Sequence, residues 1–300
     1  MKYADGAAFR RALEDRLRNL SLQSHVPLLR WRKLVTFDRF LARILADSPE
    51  CWLLKGGLAL QLRLGERART TQDIDLLRLG QTTDLYQALA RAAAIDLRDW
   101  FEFEVASASA PALPGGGTRF RVTSRLDTRA FERFHVDVGV GDPVLEPADR
   151  ISTPPLLDFA DLPATQVHCY PLSQQVAEKL HAYTRPRRQG ESSRVKDLVD
   201  ILLMAELGSL SGNRLIEALD ATFTVRAIHA LPTELPLRRP AGMRRIANCP
   251  PSSSWGTPRW PRHSKRSALF SIPLCRRWRK EKPGSLQAGN GAEQAECSTV

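Results

Sequence analysis

Residues 54–77 read LKGGLALQLRLGERARTTQDIDLL, and they hold most of the structural information in the chain. They continue an apolar run, residues 52–54, that is typical of a short buried strand. The pair Gly56–Gly57 separates this strand from residues 58–62, whose leucines are interpreted as the apolar face of a helix. An arginine-rich loop then leads to residues 73–76, a second apolar strand that carries two aspartates. The order strand, glycine pair, helix, strand predicts a mixed α/β unit.

The two aspartates of the second strand are candidate metal ligands. Side chains alternate along a strand, so Asp73 and Asp75 share one face, about 7 Å apart, and can bind one divalent cation. At the start of the preceding helix, Gly56 and Gly57 leave backbone N–H groups open to phosphate. This layout predicts nucleotidyl transfer from a metal-bound nucleotide. The alternatives are solvated carboxylates on an edge strand and a plain tight turn at the glycines.

Three residues near this motif are candidate nucleotide ligands. Arg69 and Thr71 lie in the loop just before the aspartates, where they can reach a phosphate group. Lys55 precedes the glycines and either contacts phosphate or is a solvated lysine at the end of a strand. The sequence leaves both interpretations of Lys55 open.

A third carboxylate is expected, because sites for phosphoryl transfer often hold two metal ions about 4 Å apart. In residues 135–141, HVDVGVG, the valines take one face of a strand and Asp137 takes the other, beside two glycines. Glycines next to a lone acid leave room for a ligand. Asp137 is therefore the candidate, whereas Asp142, which precedes a proline, is interpreted as an ordinary aspartate at the end of the strand.

Composition limits the possible classes of protein. The 300 residues are 43% hydrophobic, which is enough for a core, and they contain no apolar run long enough to span a membrane. The five cysteines are scattered without a CxxC pair, which argues against a zinc site and predicts free thiols in a cytoplasmic protein. Residues 238–300 carry thirteen Lys and Arg against three Glu, and so hold nearly all of the net charge of +11.

Periodicity predicts three regions along the chain. A mixed-sheet core with N-terminal helices is expected at 1–170, a helical domain at 171–237, and a basic tail without regular structure at 238–300. The tail is interpreted either as low-complexity disorder or as an out-of-frame C-terminus, because disordered segments are usually poor in Trp and Cys. The predicted helices are 6–18, 27–45, 85–94, 173–183, 194–207 and 213–221, and the further strands are 101–106, 119–126, 131–140 and 167–170.

The predicted helical domain supplies a second group of candidates. Lys179 lies on a helix with an apolar core face, and Arg194, Lys196 and Asp197 open the next helix. These residues either assist turnover in a cleft or form a plain salt bridge between helices, Lys179 to Asp197. The intervening arginines, including Arg185, form a basic loop that is either solvated or in contact with substrate phosphate.

These residues resemble the AbiEii/AbiGii toxin family of nucleotidyltransferases, which has a DNA polymerase β-like fold. The resemblance rests on KGGLAL, RTTQDIDL, FHVDVGVGD, AEKLHAYT and SRVKDLVDIL, which occur in that order. It implies nucleotide binding at Gly56–Gly57, Mg²⁺ binding at Asp73 and Asp75, and roles for Lys179 and Asp197. It also implies a type IV toxin of phage defence that acts beside a separate antitoxin without a stable complex.

The resulting functional hypothesis is transfer of NMP from an NTP to an RNA acceptor, for which the resemblance suggests tRNA. Asp73, Asp75 and Asp137 would hold Mg²⁺, and Lys179 would neutralise the triphosphate. Arg194 or Lys196 would steady substrate phosphates. Two alternatives remain: a nucleotidyltransferase that modifies a small molecule such as an antibiotic, and an inactive nucleotide-binding partner protein.

Overall fold

A computed structural model describes residues 1–80, 84–106, 117–186, 194–208 and 210–233. Two predictions fall outside these ranges, namely the basic tail at 238–300 and residues 187–193, which hold most of the predicted basic loop. None of the helices in the described ranges is long and apolar enough to cross a membrane.

Seven strands form one mixed sheet in the order β3-β4-β5-β2-β1-β7-β6. The pairs β2–β5 and β1–β7 are parallel, and the other neighbouring pairs are antiparallel. The strands are β1 (Trp52–Lys55), β2 (Ile74–Arg78), β3 (Phe101–Ala106), β4 (Thr118–Leu126), β5 (Arg129–Val140), β6 (Asp149–Ser152) and β7 (Gln166–Cys169).

Seven α-helices accompany this sheet in the described part of the chain. Helix α2 contacts both α1 and α4, while α5 packs on α6 and α7, and α6 also contacts α3. The helices are α1 (Gly6–Ser24), α2 (Leu28–Asp47), α3 (Gly56–Leu64), α4 (Leu85–Ala93), α5 (Leu172–Thr184), α6 (Val195–Ala205) and α7 (Gly212–Arg226). The predicted mixed α/β fold with C-terminal helices is confirmed, and β6 is a strand that the periodicity did not predict.

One face of the sheet is apolar and the other carries the polar candidates. Ile74, Val136 and Val138 are fully buried in the main core cluster with the phenylalanines of α2. Because strand side chains alternate, Asp75 and Asp137 then point to the opposite face. The division of the sheet into a core face and a polar face therefore follows from the alternating sequence of β2 and β5.

Among the described residues, the buried Cys169 is a free thiol, as expected. The helix α6 buries Asp197 and Asp200, whereas the apolar Val199 is 49% exposed. The face of α6 toward the protein thus combines these two buried acids with apolar residues such as the fully buried Met204.

Candidate active site

A cleft of about 1100 Å³ lies between the polar face of the sheet and the helices α5 to α7. It brings together every site residue that the sequence predicted. These are Lys55, Gly56, Gly57, Arg69, Thr71, Asp73, Asp75, Asp137, Lys179, Arg194, Lys196 and Asp197.

The three candidate metal ligands lie on or directly beside two adjacent strands at the centre of the sheet. Asp75 on β2 is directly paired with Asp137 on the parallel strand β5, and Asp73 immediately precedes β2. Cα atoms on neighbouring strands are only about 5 Å apart, so the carboxylates of Asp75 and Asp137 are neighbours on one face. The tertiary structure thus assembles the acidic group that the sequence predicted.

The glycine pair is required by close packing against these strands. Gly56 has φ +66°, and a Cβ at this position would lie 1.9 Å from Oδ2 of Asp75. A Cβ on Gly57 would lie 2.8 Å from Oγ1 of Thr71. The backbone N–H of Gly57 donates to Oδ2 of Asp75 at 3.3 Å. The start of α3 therefore faces the acidic group directly, as a helix N-terminus that binds an anion would.

Asp75 is the most perturbed carboxylate of the site. Burial, followed by the nearby charge of Asp137, raises its pKa from 3.8 to about 6, and the hydrogen bond from Gly57 only partly offsets this. Two carboxylates in a partly buried site repel each other, so the ionised pair is costly without a cation. Such perturbed groups in clefts are typical of functional sites.

Two residues that the sequence analysis missed contact the aspartates. Arg119 on β4 binds both oxygens of Asp137 at 2.7 Å and reaches Oδ2 of Asp73 at 3.5 Å. His135 places Nδ1 3.3 Å from Oδ1 of Asp73. The alternation of side chains along a strand could have predicted both contacts. Arg119 precedes the buried Phe120 and so points to the opposite, polar face, and His135 lies two residues before Asp137, on the same face.

Lys55 is part of a network of four charges rather than a solvated lysine. Its Nζ lies 2.5 Å from Asp142 and 2.7 Å from Glu178, and Arg226 of α7 contacts the same two carboxylates at 3.2 and 2.6 Å. Burial alone would lower the pKa of Lys55, but the charges of Glu178 and Asp142 raise it. Asp142 is therefore not an ordinary strand-end aspartate, because it links the end of β5 to α7.

The salt bridge between Lys179 and Asp197 is present, and Lys179 has a second carboxylate partner that the sequence did not predict. The nearest carboxylate to its Nζ is Asp200, at 2.7 Å, while Asp197 lies at 3.5 Å. Lys179 is 9% exposed, so both ion pairs are largely buried in the wall of the cleft. Asp200 also forms an ion pair with Arg69 at 3.3 Å, and this contact connects the loop before β2 to α6.

Two of the remaining candidates are engaged within the protein. Thr71 donates to the carbonyl of Asp73 at 3.1 Å, and so holds the turn into β2. Arg194 pairs with Asp197 at 3.3 Å, at the start of α6.

Two positively charged side chains of the cleft take no part in these ion pairs. In the part of the chain that the structure describes, Arg185 and Lys196 line the cleft without a carboxylate partner. These two side chains are therefore the ones available to an incoming anion.

Several solved structures are similar to this chain, and three of them are described in turn. An antigenic nucleotidyltransferase-like protein from Paracoccidioides brasiliensis is 21% identical over 65% of this chain and 88% of its own, with a TM-score of 0.40. The nucleotidyltransferase toxin MenT4 from Mycobacterium tuberculosis is 12% identical over 66% and 92%, with a TM-score of 0.41. The antibiotic-resistance factor ANT(2'')-Ia is 14% identical over 64% and 94%, with a TM-score of 0.34. These similarities are too distant to identify a substrate.

No curated protein matches the chain. A family model does match it, over residues 39–253, and this region includes the glycine pair, all three aspartates and the ion pairs of α5 and α6. The match covers more than half of the sequence. The chain belongs to the AbiEii nucleotidyl transferase toxin family of type IV toxin–antitoxin systems.

Proposed function

We propose that this nucleotidyltransferase transfers NMP from an NTP to a hydroxyl group of an RNA acceptor, with Mg²⁺ as its cofactor. The observation that carries the proposal is the meeting of Asp73, Asp75 and Asp137 at the N-terminus of α3. Carboxylates beside free helix N–H groups form a site for a metal-bound triphosphate.

The donor chemistry of the site fits a hard divalent cation. Three carboxylates supply only oxygen ligands, which Mg²⁺ prefers. Burial, followed by the charge of Asp137, raises the pKa of Asp75, and a bound cation would favour its ionised form. Asp73, Asp75 and Asp137 would hold the ion. When bound, Mg²⁺ would stabilise the charge that develops on the phosphates.

The chain's own groups would bind and orient the triphosphate. The N–H of Gly57 donates to Asp75 in this structure and would donate to a phosphate oxygen once the triphosphate is bound. Lys179, held at the cleft wall by Asp200, would neutralise phosphate charge, and Asp197 would keep Arg194 in place. The acceptor hydroxyl would attack the α-phosphate while Asp137 helps to remove its proton, and pyrophosphate would leave from the opposite side of the α-phosphate.

The acceptor is proposed to be RNA because of the cations in the cleft that have no carboxylate partner among the described residues. Arg185 and Lys196 line the same cleft as the aspartates, where they can contact a phosphate backbone. The proposal that tRNA is the acceptor rests on the family resemblance. A separately encoded antitoxin that forms no stable complex and a role in phage defence are also proposed from the resemblance. Action in the cytoplasm is proposed from the scattered cysteines, which have no CxxC pair.

The test is incubation of the full chain with each labelled NTP, Mg²⁺ and total RNA. We expect one nucleotide to label an RNA species, and Asp137→Asn or removal of Mg²⁺ to abolish the label. The double variant Arg185→Gln/Lys196→Gln should weaken RNA binding, whereas Arg150→Gln on the edge strand β6, outside the cleft, should not. Labelling of a small molecule in place of RNA would contradict the proposal, as would an absence of transfer with every NTP.

A further inference from the structure

Arg119 occupies the position between the aspartates that a cation would be expected to take. It lies opposite Asp137 in the antiparallel register of β4 and β5. Its Nε and Nη2 atoms bind the two oxygens of Asp137 at 2.7 Å each, and Nη2 lies 3.5 Å from Asp73. A bidentate pair of this kind is the strong form of the arginine–carboxylate contact.

The carboxylate oxygens of Asp75 and Asp73 also have separate partners and do not converge on one possible ion position. Asp75 accepts the N–H of Gly57, and Asp73 is contacted by His135. Among the described residues, no three His, Cys, Asp or Glu side chains are arranged closely enough in this metal-free structure to hold a metal ion. The ion pair with Arg119 explains this, because the guanidinium keeps Asp137 directed toward β4.

A divalent cation bound by Asp137 and Asp73 would meet the guanidinium at close range. Two positive groups within a few ångströms repel each other strongly in a partly buried site. The Arg119 side chain is 45% exposed, so it can leave toward solvent, whereas the Asp137 side chain is only 15% exposed. The movable partner of the pair is therefore the arginine.

We propose that Arg119 competes with the divalent cation for Asp137 and Asp73. In the metal-free protein the Arg119 side chain binds both carboxylates, and it must move away from them before the ion binds. The proposal rests on the metal site of the proposed function. It makes Arg119 a positioning residue that sets the cation concentration at which the site becomes occupied.

The test measures Mn²⁺ binding directly, by the loss of the free Mn²⁺ electron paramagnetic resonance signal, on the full chain without nucleotide. Arg119→Gln should bind Mn²⁺ about tenfold more tightly than the wild type, since a nearby positive charge is removed. The matched control is Arg121→Gln, which removes the same charge from the same face of β4. It should change the affinity less than about threefold, because Arg121 makes no ion pair among the described residues.

A second readout uses thermal stability. Without metal, Arg119→Gln should melt at a lower temperature, because Asp137 loses its partner, and saturating Mn²⁺ should remove most of that difference. Arg119→Lys should fall between the wild type and Arg119→Gln in Mn²⁺ affinity. An Arg119→Gln affinity equal to or weaker than that of the wild type, with binding still lost in Asp137→Asn, would overturn the competitor role alone. Absence of Mn²⁺ binding in all variants would overturn the metal site as well.

Discussion

The replacement Asp75→Asn should stabilise the metal-free protein at neutral and alkaline pH. The native pKa of Asp75, about 6, lies above the ordinary value of 3.8 because of burial and the charge of Asp137. The folded state therefore binds more protons than the unfolded state between these values. The contribution of Asp75 to stability is fully present below about pH 4 and is lost as the pH rises through about 6.

The magnitude follows from the size of the pKa change. A rise from 3.8 to about 6 corresponds to an upper limit of about 3 kcal/mol for the ionised side chain, at 1.36 kcal/mol per pKa unit. Solvent reaches the cleft and screens part of this, so about 2 kcal/mol is expected. Asparagine stays neutral and still accepts the N–H of Gly57.

The assay is urea unfolding in EDTA between about pH 4 and pH 8. Asp75→Asn should exceed the wild type by about 2 kcal/mol at pH 8, and the two should converge near the acidic limit. Asp220→Asn, on the exposed surface of α7, is the control and should show no such trend. A difference that does not vary with pH, or an asparagine variant that is less stable at alkaline pH, would show that Asp75 is not destabilised by its charge.

Three further outcomes are expected. Gly56→Ala should cost at least about 2 kcal/mol in urea unfolding, because it adds a clash to the positive φ, while Gly80→Ala, at positive φ in open space, should cost about 1 kcal/mol. Lys179→Met should lower the free energy of unfolding by about 2–3 kcal/mol, because it leaves Asp200 buried with only Arg69 as partner. The double variant Lys179→Met/Asp200→Asn should recover most of that loss, and equal losses in the two variants would contradict this reason. Arg226→Gln should speed hydrogen exchange in α7 relative to α2, since it removes two ion pairs that tie α7 to the core, and unchanged exchange would show that they contribute nothing.

Local sequence was sufficient for the elements that surround the site. The alternation of FEFEVA predicted β3 with the bounds that the structure has, and the same pattern placed the two faces of β5. The glycines beside Asp137 identified it as the third acid of the group. These predictions succeed because side-chain direction along a strand depends only on the backbone of that strand.

The amino-acid sequence alone thus predicted the strand–glycine–helix–strand unit, the shared face of the acidic residues and the resemblance to the family. It did not predict which partners the charged side chains have. The fold pairs Arg119 with Asp137, Lys179 with Asp200, and Lys55 with Asp142. Such pairs join residues far apart in the chain, and their distances depend on strand order, register and helix packing, none of which is written in local periodicity.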